Sequence, residues 1–186
     1  MVRKGHYDGL LYIRSSVNDV DPVEEVGFLS GNAEKFAVYL HPLEDTLDFI
    51  VRTKAEKTKL KGDLLEAKVQ EGIEDLRAKC NIQGITTLGL RGRTFSNMYI
   101  ICDEMQNNSA AQFQKVLTRV GKGSKVVILG SNRQIDNKYI TRHSNGLAVL
   151  LNACKQPNEH IKLAAVTLYK VVRSPLSEFA ERLFSK

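Results

Sequence analysis

The chain alternates short, wholly apolar runs with longer segments of helical periodicity. Leu10 to Ile13, within Gly9 to Arg14, and Val126 to Leu129, within Lys125 to Gly130, are apolar throughout, as is the five-residue stretch from Met98 to Cys102. Such runs read as strands buried on both faces, because a half-exposed strand would alternate. Gly84 to Gly89 and Ile161 to Leu168 are further strand candidates. Between them, Phe36, Leu40, Leu43, Leu47 and Ile50 recur at spacings of four and three and form one helical stripe. Pro42 removes a donor and crowds the preceding turn, which predicts a main helix from about Pro42 to Arg52.

A basic stretch, residues 52 to 62, has few apolar anchors and reads as a surface linker. Leu64, Leu65, Ile73 and Leu76 mark a helix over Asp63 to Lys79, weakened at Gly72 by roughly 1 kcal/mol relative to alanine. Asn107, Asn108 or Ser109 caps a helix with a stripe of Phe113, Val116, Leu117 and Val120, and Ser109 with Gln112 fits a capping box. Helices are also predicted at Pro22 to Gly27 behind Asp21, at Gly146 to Cys154, and at Pro175 to Phe184 behind Ser174. Strands alternating with helices give an α/β fold with a mostly parallel sheet, a single domain over 1–186 with a helical insertion at about 32–80.

Composition adds limits more than direction. At 186 residues and 42% apolar content the chain can bury one main core. No apolar stretch approaches the ~20 residues of a membrane span, and the first residues lack the apolar segment of a secretory signal, so the expected location is cytoplasmic. Cys80, Cys102 and Cys154 are odd in number and widely spaced, which points to buried thiols rather than disulfides or zinc. His6, His41, His143 and His160 show no metal spacing.

Charge is unevenly placed. Residues 111 to 142 contain Lys115, Arg119, Lys122, Lys125, Arg133, Lys138 and Arg142 against Asp136 alone, an excess equal to the net charge of +6 for the whole chain. Two readings stand for this stretch: contact with a polyanion, nucleotide or nucleic acid, or a solvated helix face with a basic loop.

The strongest chemical signal is the strand that ends in Asp103 and Glu104. Carboxylates at the carboxyl end of a parallel strand stand where ligands of α/β sheets bind. A hydrophobic strand ending in Asp-Glu has the pattern of the second nucleotide motif of phosphate-loop ATPases, although two acids capping the next helix would look the same. Leu90-Arg91-Gly92-Arg93-Thr94 places two guanidiniums around a glycine, suited to phosphate or to an exposed basic turn. Arg14 and Ser15 leave the first strand with polar groups, and Ser131 to Asp136 do the same after the strand at 125–130, so a shared site at one sheet edge is expected.

Taken together, Arg91-Gly-Arg-Thr94, Ile100-Ile-Cys-Asp-Glu-Met-Gln-Asn107, Leu117-Thr-Arg-Val-Gly121 and Gly130-Ser-Asn-Arg-Gln-Ile-Asp136 resemble the PhoH family of phosphate-starvation ATP-binding proteins. The nucleotide half of superfamily 1 helicases is similar at a greater distance. Pro22 to Gly31, Tyr39 to Leu43 and Val171 to Ser174 fall in the same order, so the resemblance spans about residues 9 to 184. It implies a RecA-like, phosphate-loop ATPase fold with ATP and Mg²⁺ as cofactors. Asp103 would complete the Mg²⁺ shell, Glu104 would position the attacking water, and Gln134 would sense the γ-phosphate. Arg14, Arg91, Arg93 and Arg173 would meet phosphates or a neighbouring subunit, since a homo-oligomeric ring is implied. RNA or DNA is the implied macromolecular partner through the basic 111–142 stretch.

Two departures from the family pattern matter. The G-x-x-x-x-G-K-[ST] phosphate loop, with its strand and helix, is absent from the 186 residues. Gly121-Lys-Gly-Ser-Lys125 is a decoy that precedes a strand instead of following one. The expectation is therefore a fold that lacks its first strand and phosphate loop, and that hydrolyses ATP only when a phosphate loop is supplied. Ser131 stands where the family usually has aspartate.

Overall fold

The computed structural model describes residues 1–15, 32–169, 172 and 174–184. The helical turns expected at Pro22 to Gly27, the turn that follows them, and Arg173 lie outside these residues.

Four parallel strands form the sheet: β1 (Gly9–Arg14), β2 (Ile82–Thr86), β3 (Met98–Asp103) and β4 (Lys125–Ile128), in the order β2-β1-β3-β4. The apolar runs occupy the sheet as expected, with Leu11, Ile13, Ile100 and Cys102 at most 1% exposed. Register follows from pairing Leu10–Arg14 with Ile82–Thr86 on one side and Gly9–Arg14 with Met98–Asp103 on the other. That pairing corrects the strand expected at 84–89: it begins two residues earlier, and Thr87–Leu90 is a tight 3-10 turn that starts the chain back toward β3.

Parallel neighbours require crossovers, and here they lie on both faces. From β1 the chain passes through α1 (Asn32–Ala55) and α2 (Asp63–Cys80) to reach β2. Leu40, Leu43 and Leu47 of α1, with Ile73 and Leu76 of α2, pack beside Leu10 and Tyr12 on one face. Pro42 lies inside α1 instead of starting it. Loss of one intrahelical bond is outweighed by burial of Leu43 and Leu47, and Thr46 Oγ1 donates to the Pro42 carbonyl at 2.6 Å. The helix also runs on to Ala55, so the expected linker is shorter than 52–62. Gly72 has a use in packing: a Cβ there would meet Val51 Cγ1 at 2.5 Å, so glycine allows α1 and α2 to approach. Arg52 joins the same pair by bonding Asp48 and Glu66.

On the other face lie α3 (Ala110–Leu117) and α4 (Gly146–Ala153), with Phe113, Val116 and Leu147 packed on Leu11, Ile13 and Ile100. The Ser109–Gln112 capping box forms as the sequence predicts. A last helix, α5 (Pro175–Phe184), keeps its expected bounds, but Leu176, Phe179, Leu183 and Phe184 are exposed.

The strand expected at 161–168 does not form. A strand exists by pairing with a neighbour, and among the described strands none lies against this segment. Val166, Leu168 and Tyr169 are consequently more than 80% exposed. The sheet itself stops at β4, whose outer edge pairs with no described strand. On the α1/α2 face, Tyr99, Ile101 and Val127 of β3 and β4 are only half-buried. No helix among the described residues is long and apolar enough to cross a membrane.

Candidate functional site

After β1 the chain turns toward α1 and β2, and after β3 it turns the opposite way toward α3 and β4. The strand order therefore reverses between β1 and β3, and their adjoining carboxyl ends form the crevice where α/β sheets bind ligands. Parallel register sets Arg14 directly opposite Asp103 at that point. Side chains two apart share a face, so Tyr12, Arg14, Ile101 and Asp103 all lie on the side of α1 and α2.

Asp103 is held on both oxygens. Tyr12 Oη donates to Oδ2 at 2.6 Å, Arg14 Nη1 donates to the same atom at 2.9 Å, and Glu104 N donates to Oδ1 at 3.0 Å. Arg14 Nη2 also stands 3.9 Å from Glu104 Oε1. Burial pushes the Tyr12 phenol up to about 12, and its bond to Asp103 acts in the same direction. Burial alone would lower the Arg14 guanidinium, but the Tyr12 bond and the charges of Asp103 and Glu104 raise it overall. Cys102, beneath the acids, is a buried thiol pushed up to about 12 by burial, hence an inert core residue.

Glu104 adopts a left-handed backbone at φ 54°, a conformation uncommon for a residue with a Cβ. This strained turn is fixed by its neighbours. Gln106, 1% exposed, donates from Nε2 to Glu104 Oε2 at 2.6 Å and to the Gln134 carbonyl at 2.8 Å, and accepts the Ser131 N–H on Oε1 at 3.1 Å. Asn107 Oδ1 accepts Asp136 N–H at 2.8 Å, and Asn137 Nδ2 donates to the Asn107 carbonyl. Asn108 takes the Ser15 hydroxyl and, through its carbonyl, the Gly146 N–H. Asn145 caps α4 through Ala148 N–H and reaches Asn132 Oδ1. Gln106 and Asn107 thus clamp the loop after β4 against the acidic turn, while Asn108 ties that turn to Ser15 and to the start of α4.

Of the residues singled out in the sequence, the structure brings Arg14, Asp103 and Glu104 together and sets the Gln134 backbone next to them through Gln106. Gln134 lies in the loop six residues beyond β4, not at the strand's end. Arg93 is elsewhere. Its guanidinium stacks 4.7 Å over the Phe95 ring and bonds Gln83 Oε1 at 3.4 Å, near the amino ends of β3 and β2. From Phe95 to Asp103 an extended chain rises roughly 25 Å, so Arg93 does not reach the acid pair of its own chain. Arg91 keeps a partner of its own.

The basic stretch is also divided. Lys122 and Lys125 stand at the amino end of β4, whereas Arg133, Lys138 and Arg142 lie in the loop that follows its carboxyl end. Sequence reading missed Tyr12 and the buried amides. Tyr12 could have been found from its place two residues before Arg14, and Gln106, Asn107 and Asn108 from three consecutive amides that follow the acids after Met105.

Asp103 and Glu104 offer hard carboxylate oxygens, and among the described residues no cluster of three metal-ligating side chains exists. That donor set fits Mg²⁺, which keeps most of its waters and shares its shell with substrate phosphates, and does not fit a metal held by protein alone.

The profile of the PhoH-like protein family matches residues 1–185 of the chain. The chain belongs to the PhoH-like protein family. It is similar to Protein PhoH2 of Bacillus subtilis (strain 168), 33% identical over 162 residues, covering 86% of this chain and 33% of that protein. It is also similar to a PhoH-like protein of the same organism, 32% identical over 176 residues, 94% of this chain and 48% of that protein. Protein PhoH of Escherichia coli (strain K12) is 37% identical over 114 residues, 61% of this chain and 28% of that protein. The matched part of the chain therefore covers 28% to 48% of the length of these PhoH relatives, and the α/β fold with its parallel sheet agrees with membership.

Proposed function

We propose that this PhoH-like chain contributes the metal-binding and water-positioning half of a Mg²⁺-dependent ATP-hydrolysing site, and that the phosphate loop comes from polypeptide outside these 186 residues. One observation carries the reading. The acid pair at the β1/β3 switch point lies beside a β4 edge that pairs with no described strand and a sheet face half-uncovered among the described residues, and a parallel strand followed by a helix would cover both. The turn joining that strand and helix would fall at the carboxyl edge, next to Asp103 and Glu104. The unpaired 161–168 run would gain a neighbour from the same strand.

In this reading Asp103 binds Mg²⁺, and Glu104, held by Gln106, orients the water. Mg²⁺, when bound, neutralises charge on the phosphates. Gln134 stands on the loop clamped to that turn, and Arg14 is at hand for phosphate oxygens. Arg91, Arg93 and Arg173 serve phosphates or a neighbouring copy in a ring, and Arg93, held at Phe95 and Gln83, is remote from the acid pair of its own chain.

Titration with a fluorescent ATP analogue and Mg²⁺ tests this proposal. A polypeptide extended at its amino end by a strand, phosphate loop and helix should bind, and Asp103→Asn should weaken its Mg²⁺ dependence. Equal binding by the 186-residue chain and the extended form would refute it.

A second reading, a nucleic-acid-binding subunit, is favoured by Arg133, Lys138 and Arg142 exposed around Tyr139, itself 64% exposed, on the loop after β4. Binding of single-stranded RNA that weakens with salt, and is lost when the three basic residues become alanine, would support it. No binding at low salt would remove it.

A further inference from the structure

We propose that Arg14 is a resident counter-cation of the acid pair, which a divalent metal ion must displace from Asp103 before the site can load; this rests on the reading of Asp103 as the metal ligand. Arg14 Nη1 is 2.9 Å from Asp103 Oδ2 and Nη2 is 3.9 Å from Glu104 Oε1, so one guanidinium faces both carboxylates from the neighbouring strand. A cation shared by those two carboxylates would claim the same face. The register leaves Arg14 little alternative, because it is paired opposite Asp103 and its side chain is only 22% exposed.

The other groups around Asp103 are arranged to hold it in either state. Tyr12 Oη donates to Oδ2 and also accepts from Arg14 Nη1 at 3.3 Å, and Oδ1 takes the Glu104 N–H. When a metal takes Oδ2, the Tyr12 and Glu104 donors still fix the carboxylate, and only the Arg14 contact has to break. A freed guanidinium at the carboxyl edge then has phosphate as its natural partner, with the fork geometry to bind it. Arg14 thus keeps two acids from repelling each other while the site is empty, and couples metal entry to phosphate capture.

The test is Mn²⁺ binding to the 186-residue chain without nucleotide, followed by the electron paramagnetic resonance signal of the free ion. Arg14→Ala, with Arg14→Gln as the bulkier alternative should alanine disturb folding, should bind Mn²⁺ at least about threefold more tightly than the unsubstituted chain, because a competing charge a few ångströms away is gone. Arg14→Lys should bind no more tightly than the unsubstituted chain. Adding Asp103→Asn to Arg14→Ala should abolish the gain. Unchanged or weaker Mn²⁺ binding in both Arg14→Ala and Arg14→Gln, or no binding in any form, overturns the proposal. Binding that survives Asp103→Asn shows instead that the metal-site reading itself is wrong.

Discussion

Gln106 Nε2 donates to the backbone carbonyl of Gln134, 2.8 Å away and 28 residues further along the chain. The same nitrogen reaches Glu104 Oε2 at 2.6 Å. One buried amide therefore fixes both the carboxylate of the acidic turn and the loop that follows β4. Gln106→Leu keeps the volume but leaves the Ser131 N–H and the Gln134 carbonyl without their partner. Both bonds are partly buried, so the cost stays below the ~1–3 kcal/mol of a fully buried unsatisfied group. The expected result is a lower melting temperature together with faster hydrogen exchange at residues 131–136, and unchanged exchange in the strands β1 and β3. Uniform loss of protection would show that Gln106 supports the whole core instead of this junction.

Gly130 leads from β4 into that loop under tight constraint. A Cβ there would meet Gln106 Oε1 at 2.6 Å and Leu147 Cδ2 at 2.9 Å. Gly130→Ala should push Gln106 from its bonds and reproduce the local effect of Gln106→Leu, at a cost of about 1–3 kcal/mol from overpacking. Gly92→Ala offers a contrast: nothing lies within 4 Å, and the penalty comes from its φ of 70° alone. Chemical denaturation of the two variants compares them. Equal protection of residues 131–136 in Gly130→Ala and the parent would contradict the packing argument.

The strands and helices were legible in the sequence wherever local pattern decides. Unbroken apolar runs marked β1, β3 and β4, and of the three cap candidates Asn107, Asn108 and Ser109 the one with the capping box starts α3. Long-range pairing was not legible. The bounds of β2 follow from register with β1, and the run at 161–168 has strand composition but no described neighbour to pair with. At the site, Asp103 and Glu104 were readable from an apolar strand ending in acids. Arg91 and Arg93, ten to thirteen residues before the acids, read as phosphate or intersubunit contacts from two guanidiniums around a glycine. An extended strand converts such a separation into length, and Arg93 sits at its far end. Tyr12 and Gln106 have partners 91 and 28 residues away, contacts that composition does not announce.

Alkaline stability should report on the two raised groups. Cys102 and Tyr12 both stand at about 12 in the fold, above ordinary values of ~8.5 and ~10 in an unfolded chain. The folded state therefore favours the protonated thiol and phenol. Their contribution is intact below the unfolded values and is lost as pH rises toward 12, beginning with Cys102 near ~9 and joined by Tyr12 above ~10. Melting temperatures across pH 8 to 12 should fall less steeply for Cys102→Ala than for the parent from ~9 upward, and less steeply for Tyr12→Phe only above ~10. Parallel curves for all three proteins would contradict the assignment.

Glu104 gives the sharpest test of function. In the chain extended by a strand, phosphate loop and helix, phosphate release from MgATP should be measured at saturating nucleotide for the parent and for Glu104→Gln. Loss of a group that orients or deprotonates water should lower kcat by roughly 100-fold or more, while nucleotide affinity and melting temperature hold. Turnover by Glu104→Gln at the parent rate would contradict the account, because the acidic turn would then be only a helix-leading loop in the fold.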